Sequence, residues 1–256
     1  MSRVTWLTAF IDLPASVHES GSRFWSAAAG AGISPARGDD GEFASLLPDG
    51  GDPHVALQRV GGGEPRGHLD VHVAPGAVGA GVDEAVALGA EVIARPEEGA
   101  YAVLRSPGGI IHCIVDHVRA GVAPSPRWPG SHLAVIDQVC LDVPAAAFDA
   151  EVDYWAGLTG WPRSWAPMPE FAGLERPAQI PLRILVQSCG TDRAGLHLDL
   201  AVTDRAAETQ RLAALGATVQ SVHEWWTVLR SPSGELFCLT DRRPQDAPAS
   251  AAGEEA

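Results

Sequence analysis

Apolar and polar positions alternate with a period of two in short runs along the chain, and stretches with helical spacing separate them. Residues 4–12 (VTWLTAFID) and 135–142 (VIDQVCLD) alternate in this way and carry β-branched and aromatic side chains, which predicts half-buried strands. Each is followed by a Leu-Pro or Val-Pro step and an alanine-rich segment, residues 16–29 or 145–158, that ends in an aromatic pair and then Gly30 or Gly160. That pattern predicts a helix with a glycine stop. Strands are predicted over 43–47, 55–60 and 69–73, helices over 82–88 and 206–215 before Gly89 and Gly216, and strands over 91–94 and 218–222. A Ser-Pro-x-Gly turn then leads to closing strands at 110–115 and 236–240.

The same signals occur twice. Phe10–Pro14 returns as Cys140–Pro144 and Phe24-Trp25 as Tyr154-Trp155, 130 positions later. His68-Leu69-Asp70 returns as His197-Leu198-Asp199, Leu88-Gly89-Ala90 as Leu215-Gly216-Ala217, and Leu104-Arg105-Ser106-Pro107 as Leu229-Arg230-Ser231-Pro232. Five blocks in one order define a duplication. The first domain is read as residues 1–118 and the second as 132–243. Residues 119–131, with three prolines and two glycines, form an extended linker with few contacts, and 244–256 a disordered tail. Each copy is then a pair of βαβββ modules, an α+β fold whose mixed, curved sheets carry helices on one face and leave the other free as a cleft.

With 46% hydrophobic residues the chain can bury real cores without disulfides. No apolar run approaches the ~20 residues of a membrane span, and no signal-peptide pattern leads the sequence, so a cytoplasmic protein is expected. The four cysteines are widely spaced and read as reduced thiols. All 18 basic residues are arginine, which removes Schiff-base chemistry, a lysine general base and a P-loop lysine. A net charge of −14 disfavours nucleic acid and leaves a small molecule as the expected partner.

The two His-x-Asp strands, Gly67–Val71 and Leu196–Leu200, the Leu-Gly-Ala steps and the Ser-Pro-x-Gly turns together resemble the vicinal-oxygen-chelate family of glyoxalases, dioxygenases and bleomycin-resistance proteins. The Phe-Trp and Tyr-Trp helix ends and the Phe-Cys-Leu step at 237–239 are similar to a glyoxalase-like subgroup common in actinobacteria. The resemblance covers nearly all of both copies. It implies tandem domains whose sheets curl into open barrels, as a monomer with an internal pseudo-dimer or as a homodimer. Metal-dependent members hold ligands on four strands. The positions that match are Gln138, Gln187, His197 and Cys238 in the second copy, and Thr8, Gln58, His68 and Cys113 in the first. The glutamate that the resemblance implies on the closing strand is missing from both.

His197, Gln138 and Gln187 are accordingly the candidate metal ligands, and His197, Gln187, Trp226, Trp165, Asp199, Gln58 and His68 the candidate ligand-binding residues. Each histidine reads equally as a metal ligand, an acid/base group or a pocket wall. A Gln, Gln, His and thiol set offers one imidazole and at most one anion, so a divalent cation would be held weakly. Asp199 is two residues from His197, about 6.6 Å along a strand, so joint chelation is not assured. Cys113 and Cys238 read as buried packing thiols, His112 as facing the helices, and Trp161 and Trp225 as packing residues. The expectation is metal-independent binding of an aromatic or cationic molecule in the second cleft. The alternatives are a metal-dependent lyase, isomerase or dioxygenase, or one copy that is purely structural.

Overall fold

In a computed structural model, which describes residues 4–96, 100–119, 121–164 and 168–246, each period-two run forms a strand with its apolar set turned toward helices and its polar set turned away. The first copy runs β1 (Trp6–Pro14), α1 (His18–Ala29), β2 (Gly32–Ile33), β3 (Phe43–Leu47) and β4 (Val55–Val60). Its second module is β5 (Arg66–His72), α2 (Val78–Ala87), β6 (Glu91–Ala94), β7 (Tyr101–Arg105) and β8 (Ile111–Val115). The second copy repeats the order: β9 (Ala134–Pro144), α3 (Phe148–Thr159), β10 (Arg163–Ser164), β11 (Phe171–Leu174) and β12 (Arg183–Cys189). It closes with β13 (Gly195–Val202), α4 (Arg205–Ala214), β14 (Thr218–Val222), β15 (Trp226–Arg230) and β16 (Leu236–Thr240).

The strand orders are β2-β3-β4-β1-β5-β8-β7-β6 and β10-β11-β12-β9-β13-β16-β15-β14, so the copies share one topology. Within each module the first and last strands pair in parallel, and the modules join through the antiparallel pairs β1–β5 and β9–β13. Both sheets are mixed and open. Gly30 (φ 62°) and Gly160 (φ 69°) end α1 and α3 in the left-handed conformation that a side chain with a Cβ disfavours. No helix among the described residues is long and apolar enough to cross a membrane.

The helices lie between the two sheets, and one continuous apolar core runs through both copies. Trp25 on α1 packs against Phe237 on β16 at 5.2 Å between centroids, and Trp155 on α3 packs against His112 on β8 at 5.1 Å. Each of these helices therefore packs on the partner copy's closing strand as well as on its own sheet. His112, expected to face the helices, does so. The duplicated contact is not symmetric. A Cβ built on Gly21 would sit 2.7 Å from Ser233 Oγ, and one built on Gly108 would sit 2.6 Å from Glu151 Oε2. Glu151 and Ser233 are the counterparts of Gly21 and Gly108, so each large residue fills the space left by a glycine in the other copy. The same holds at Gly67, where a Cβ would fall 2.5 Å from Leu196, its own counterpart.

The linker is anchored rather than loosely held. Asp52 and Gly121 exchange two hydrogen bonds, Trp128 N–H donates to His132 O, and the Trp128 ring lies 3.5 Å beneath the Arg211 guanidinium. Arg211 also donates to Ala27 O and Ala28 O at the end of α1 and to the buried Glu208. The proline and glycine content set the extended path, but the contacts come from distant residues that composition does not reveal. Of the expected tail, residues 247–256 lie outside the described residues.

Candidate functional site

The polar set of each sheet opens onto a cleft. On the second copy, period two places Gln138, Cys140 and Asp142 of β9 on the open face, beside His197 and Asp199 of β13 and Cys238 of β16. The facing residues between them, Val139, Leu141, Leu198, Leu200, Phe237 and Leu239, are buried in the helix layer. This cleft measures about 610 Å³ and is walled at one side by Phe171, Trp225 and Trp226. Phe171 meets Trp226 edge-on at 6.0 Å, and His223 stacks on Trp226 at 4.5 Å. Trp225, expected to pack, is instead 45% exposed at the rim, whereas Trp161 is buried in the core. Trp165 lies outside the described residues.

At the floor His197 Nδ1–H donates to Asp142 Oδ2 at 2.8 Å, and Nε2 faces Asp199 Oδ1 at 3.2 Å. Cys140 Sγ, the His197 ring and Asp199 bring ligand atoms within 4.8 Å of one another. Asp199 contributes although its Cα is a two-residue rise from that of His197, because side chains on one strand face lean along the strand. Gln138 Nε2 donates to Asp199 Oδ2 at 2.6 Å, so this glutamine steadies the carboxylate. Gln187 accepts from Cys140 Sγ at 3.5 Å. The three residues whose ligand atoms lie within reach of one another are thus Cys140, His197 and Asp199, whereas the sequence expectation names His197, Gln138 and Gln187. Cys140 and Asp142 were legible from the alternation that marked Gln138, since the three share a face.

Burial alone would lower the His197 pKa, but the surrounding Cys140, Asp199 and Asp142 raise it well above the ordinary histidine value. Burial pushes Asp199 up, yet His197, Arg242 and Gln138 outweigh it, and its carboxyl ends below the usual range. Burial pushes the Cys140 thiol up to about 12, so without a cation it stays protonated. Asp199 Oδ1 is buried and, among the described residues, has no hydrogen bond. Its charge is met by the His197 imidazole, whose Nε2 lies 3.2 Å away.

The first cleft, about 760 Å³, has the same plan with different contents. His68 Nδ1–H donates to Asp12 at 3.0 Å, but Nε2 stands 3.9 Å from Asp70, and Phe10 stacks flat on the imidazole at 4.5 Å. Phe10 holds the place that Cys140 takes in the second copy. Gln58 lines this cleft beside Asp12. Burial raises Asp70 to about 6, partly offset by His68. His68, Asp70 and Cys113 also lie close enough together to share an ion. His72, on the same face, receives the Thr8 hydroxyl at 2.9 Å on Nε2 and donates from Nδ1 to His117 O, and burial lowers its pKa to about 4.

The model of the glyoxalase-like domain family matches residues 8–115 and 138–240. No sequence among functionally curated proteins matches the chain. Among solved structures, the Mn(II)-bound glyoxalase from Novosphingobium aromaticivorans superposes with a TM-score of 0.67 at 19% identity, over 94% of this chain and 83% of that one. The 2,3-dioxygenase LapB from Pseudomonas sp. KL28 gives 0.66 at 14% identity, over 94% and 93%. The 2,2',3-trihydroxybiphenyl 1,2-dioxygenase from Sphingomonas wittichii strain RW1 gives 0.61 at 15%, over 93% and 90%. At these identities the likeness is one of fold.

Proposed function

The chain belongs to the glyoxalase-like domain family, and on that premise we propose that its second cleft is a divalent-metal centre acting on an oxygen-bearing small molecule. One observation carries the reading. Asp142 fixes Nδ1 of His197, and Nε2 faces the buried Asp199 carboxylate at 3.2 Å with the Cys140 thiol in reach of both. A carboxylate that orients a histidine from behind is the outer half of a metal site, since it sets the tautomer and raises ligand basicity. Imidazole, carboxylate and thiolate suit zinc or a first-row transition ion better than magnesium.

Bound there by Cys140, His197 and Asp199, the cation would act as a Lewis acid on vicinal substrate oxygens, chemistry open to a lyase, an isomerase or a dioxygenase. The chain's own residues orient the ligands: Asp142 holds the imidazole and Gln138 holds Asp199. Trp226 and Phe171 wall one side of the cleft. That similar folds include a Mn(II)-bound glyoxalase and dioxygenases supports the reading. Metal-independent sequestration was favoured because the closing strand lacks a glutamate. Asp199, on the neighbouring strand and paired in register with Cys238, would supply a carboxylate in its stead.

The test is titration of chelator-treated protein with Zn(II), Fe(II) and Mn(II), read by calorimetry. One tight equivalent is expected, lost in His197→Ala and Asp199→Asn and kept in His68→Ala. Absence of a tight equivalent for any of the three ions, or equal binding in His197→Ala, would overturn the reading.

A further inference from the structure

Three charged residues set the β12 end of the second cleft apart from the first. Where the first copy has His54 and His117 the second has Arg183 and Arg242, and it carries Asp137 in addition. The backbone differs too. Gln138 pairs with Asp199 and Ile136 with Leu200, so Asp137 is an extra residue in a β-bulge, while the first copy pairs Leu7 with Val71 in unbroken register. Bulges re-aim side chains. This one sets the Asp137 carboxylate between two arginines, with Arg242 at 2.5 Å and Arg183 Nε at 3.4 Å.

Asp137 is shared by both guanidiniums, Asp199 lies 3.9 Å from Arg242, and His197 sits between Asp199 and Asp142. A third arginine stands close by: burial first, then Arg183, hold Arg176 down to about 10 despite Asp137. Among the described residues the Arg183 side chain makes no hydrogen bond, its buried Nε has only the 3.4 Å ion pair with Asp137, and the side chain is 42% exposed. A positive pocket end in a chain of net charge −14 is a local arrangement rather than an average property.

The row Arg183–Gln138–Asp199–Cys238 runs across four adjacent strands in register. Two strand spacings put Arg183 about 10 Å from Asp199 at the backbone, with Phe171 and Trp226 lining the same cleft. We propose that the second cleft takes an aromatic carboxylic acid, its carboxylate held by Arg183 and Arg242 and its ring against Phe171 and Trp226. A planar guanidinium fork matches a carboxylate through paired N–H donors, and the Arg183 fork, whose terminal nitrogens carry no hydrogen bond among the described residues, stands beside an aromatic wall that selects that combination. The inference rests on this cleft being the substrate site, and it reverses the expectation of a cationic ligand.

The test separates the anion site from the metal site by working in chelator, so that a carboxylate has no cation to bind. Calorimetry compares 3-phenylpropionate, its neutral amide and phenethyl phosphate on wild type, Arg183→Gln and Arg183→Lys, with thermal midpoints confirming that each variant folds. Wild type should favour the acid over the amide by at least about tenfold, as a charge-assisted pair would give. Arg183→Gln should abolish that preference, and Arg183→Lys should keep part of it. Equal binding of acid and amide, no binding of the acid, or an undiminished preference in Arg183→Gln would overturn the proposal. Tighter binding of the phosphate would overturn the carboxylate assignment. Because no metal is present, these outcomes are independent of whether the metal centre stands.

Discussion

The Tyr154 hydroxyl donates to His112 Nε2 at 2.7 Å, tying a helix of the second copy to the closing strand of the first. The related pair across the pseudo-twofold is Phe24 and Phe237, 5.8 Å apart and wholly apolar. One copy thus uses a buried polar pair where the other uses two rings. With Nδ1 turned to Ile110 O, Nε2 is left to accept, and burial lowers the His112 pKa to about 4. Removing one partner should cost more than removing both. His112→Phe should destabilise by about 1–3 kcal/mol, and His112→Phe with Tyr154→Phe should recover most of it. Urea unfolding at pH 7 measures both.

The same histidine predicts a pH effect. Its folded pKa lies below the unfolded value of 6.5, so the unfolded chain takes up the proton first. Stability from neutral His112 is whole above about 6.5 and falls away as pH drops toward 4, by up to roughly 3 kcal/mol. His72 acts in the same direction. His197 runs opposite, since its raised pKa gives stability that is lost as pH rises through the folded value. The difference between wild type and the double phenylalanine variant isolates His112. That difference should shrink by the His112 contribution between pH 7 and pH 5, and a constant difference would refute the assignment.

Asp142 is a positioning residue in the metal reading, and its effect should appear in affinity. Asp142→Asn should weaken metal binding by about 10–100-fold, while Asp12→Asn leaves it unchanged. Affinity should also fall with decreasing pH, because the proton on His197 must leave before Nε2 can ligate. Competition against a chromophoric chelator at several pH values reads both effects.

The small-for-large exchanges between the copies predict a rescue. Gly108→Ser should destabilise, because its Cβ would press on Glu151 and that carboxylate already accepts from Gly108 N–H and Ser106 Oγ. Adding Glu151→Gly recreates the arrangement of the other copy, Gly21 against Ser233, and should restore part of the thermal midpoint. Trp155 would then lose its bond to Glu151 Oε1 and resemble Trp25, whose Nε1 is buried without a partner.

Most of the fold was legible because a period-two run with a glycine-stopped helix after it leaves a strong local mark, and β3, β4, β6, β14 and β16 coincide with their predicted limits. The two-residue strands β2 and β10 leave no such mark. At the site, parity found His197 and Asp199 but judged them by backbone rise, and only the lean of the side chains brings them within 3.2 Å. The roles of Gln138, Gln187 and Cys140 depend on hydrogen bonds between strands far apart in sequence. Arg183 and Arg242 depend on a bulge that no alternation pattern announces.

The crossed helix packing also bears on biosynthesis. Trp25 finds Phe237 more than two hundred residues later, so at roughly 5–20 residues per second α1 waits on the order of 10–40 s for its partner strand. Through that interval the apolar side of α1 that the second sheet later covers has no partner strand. The first copy therefore leaves the ribosome with one helix face still uncovered, the stage at which a holdase has most to bind.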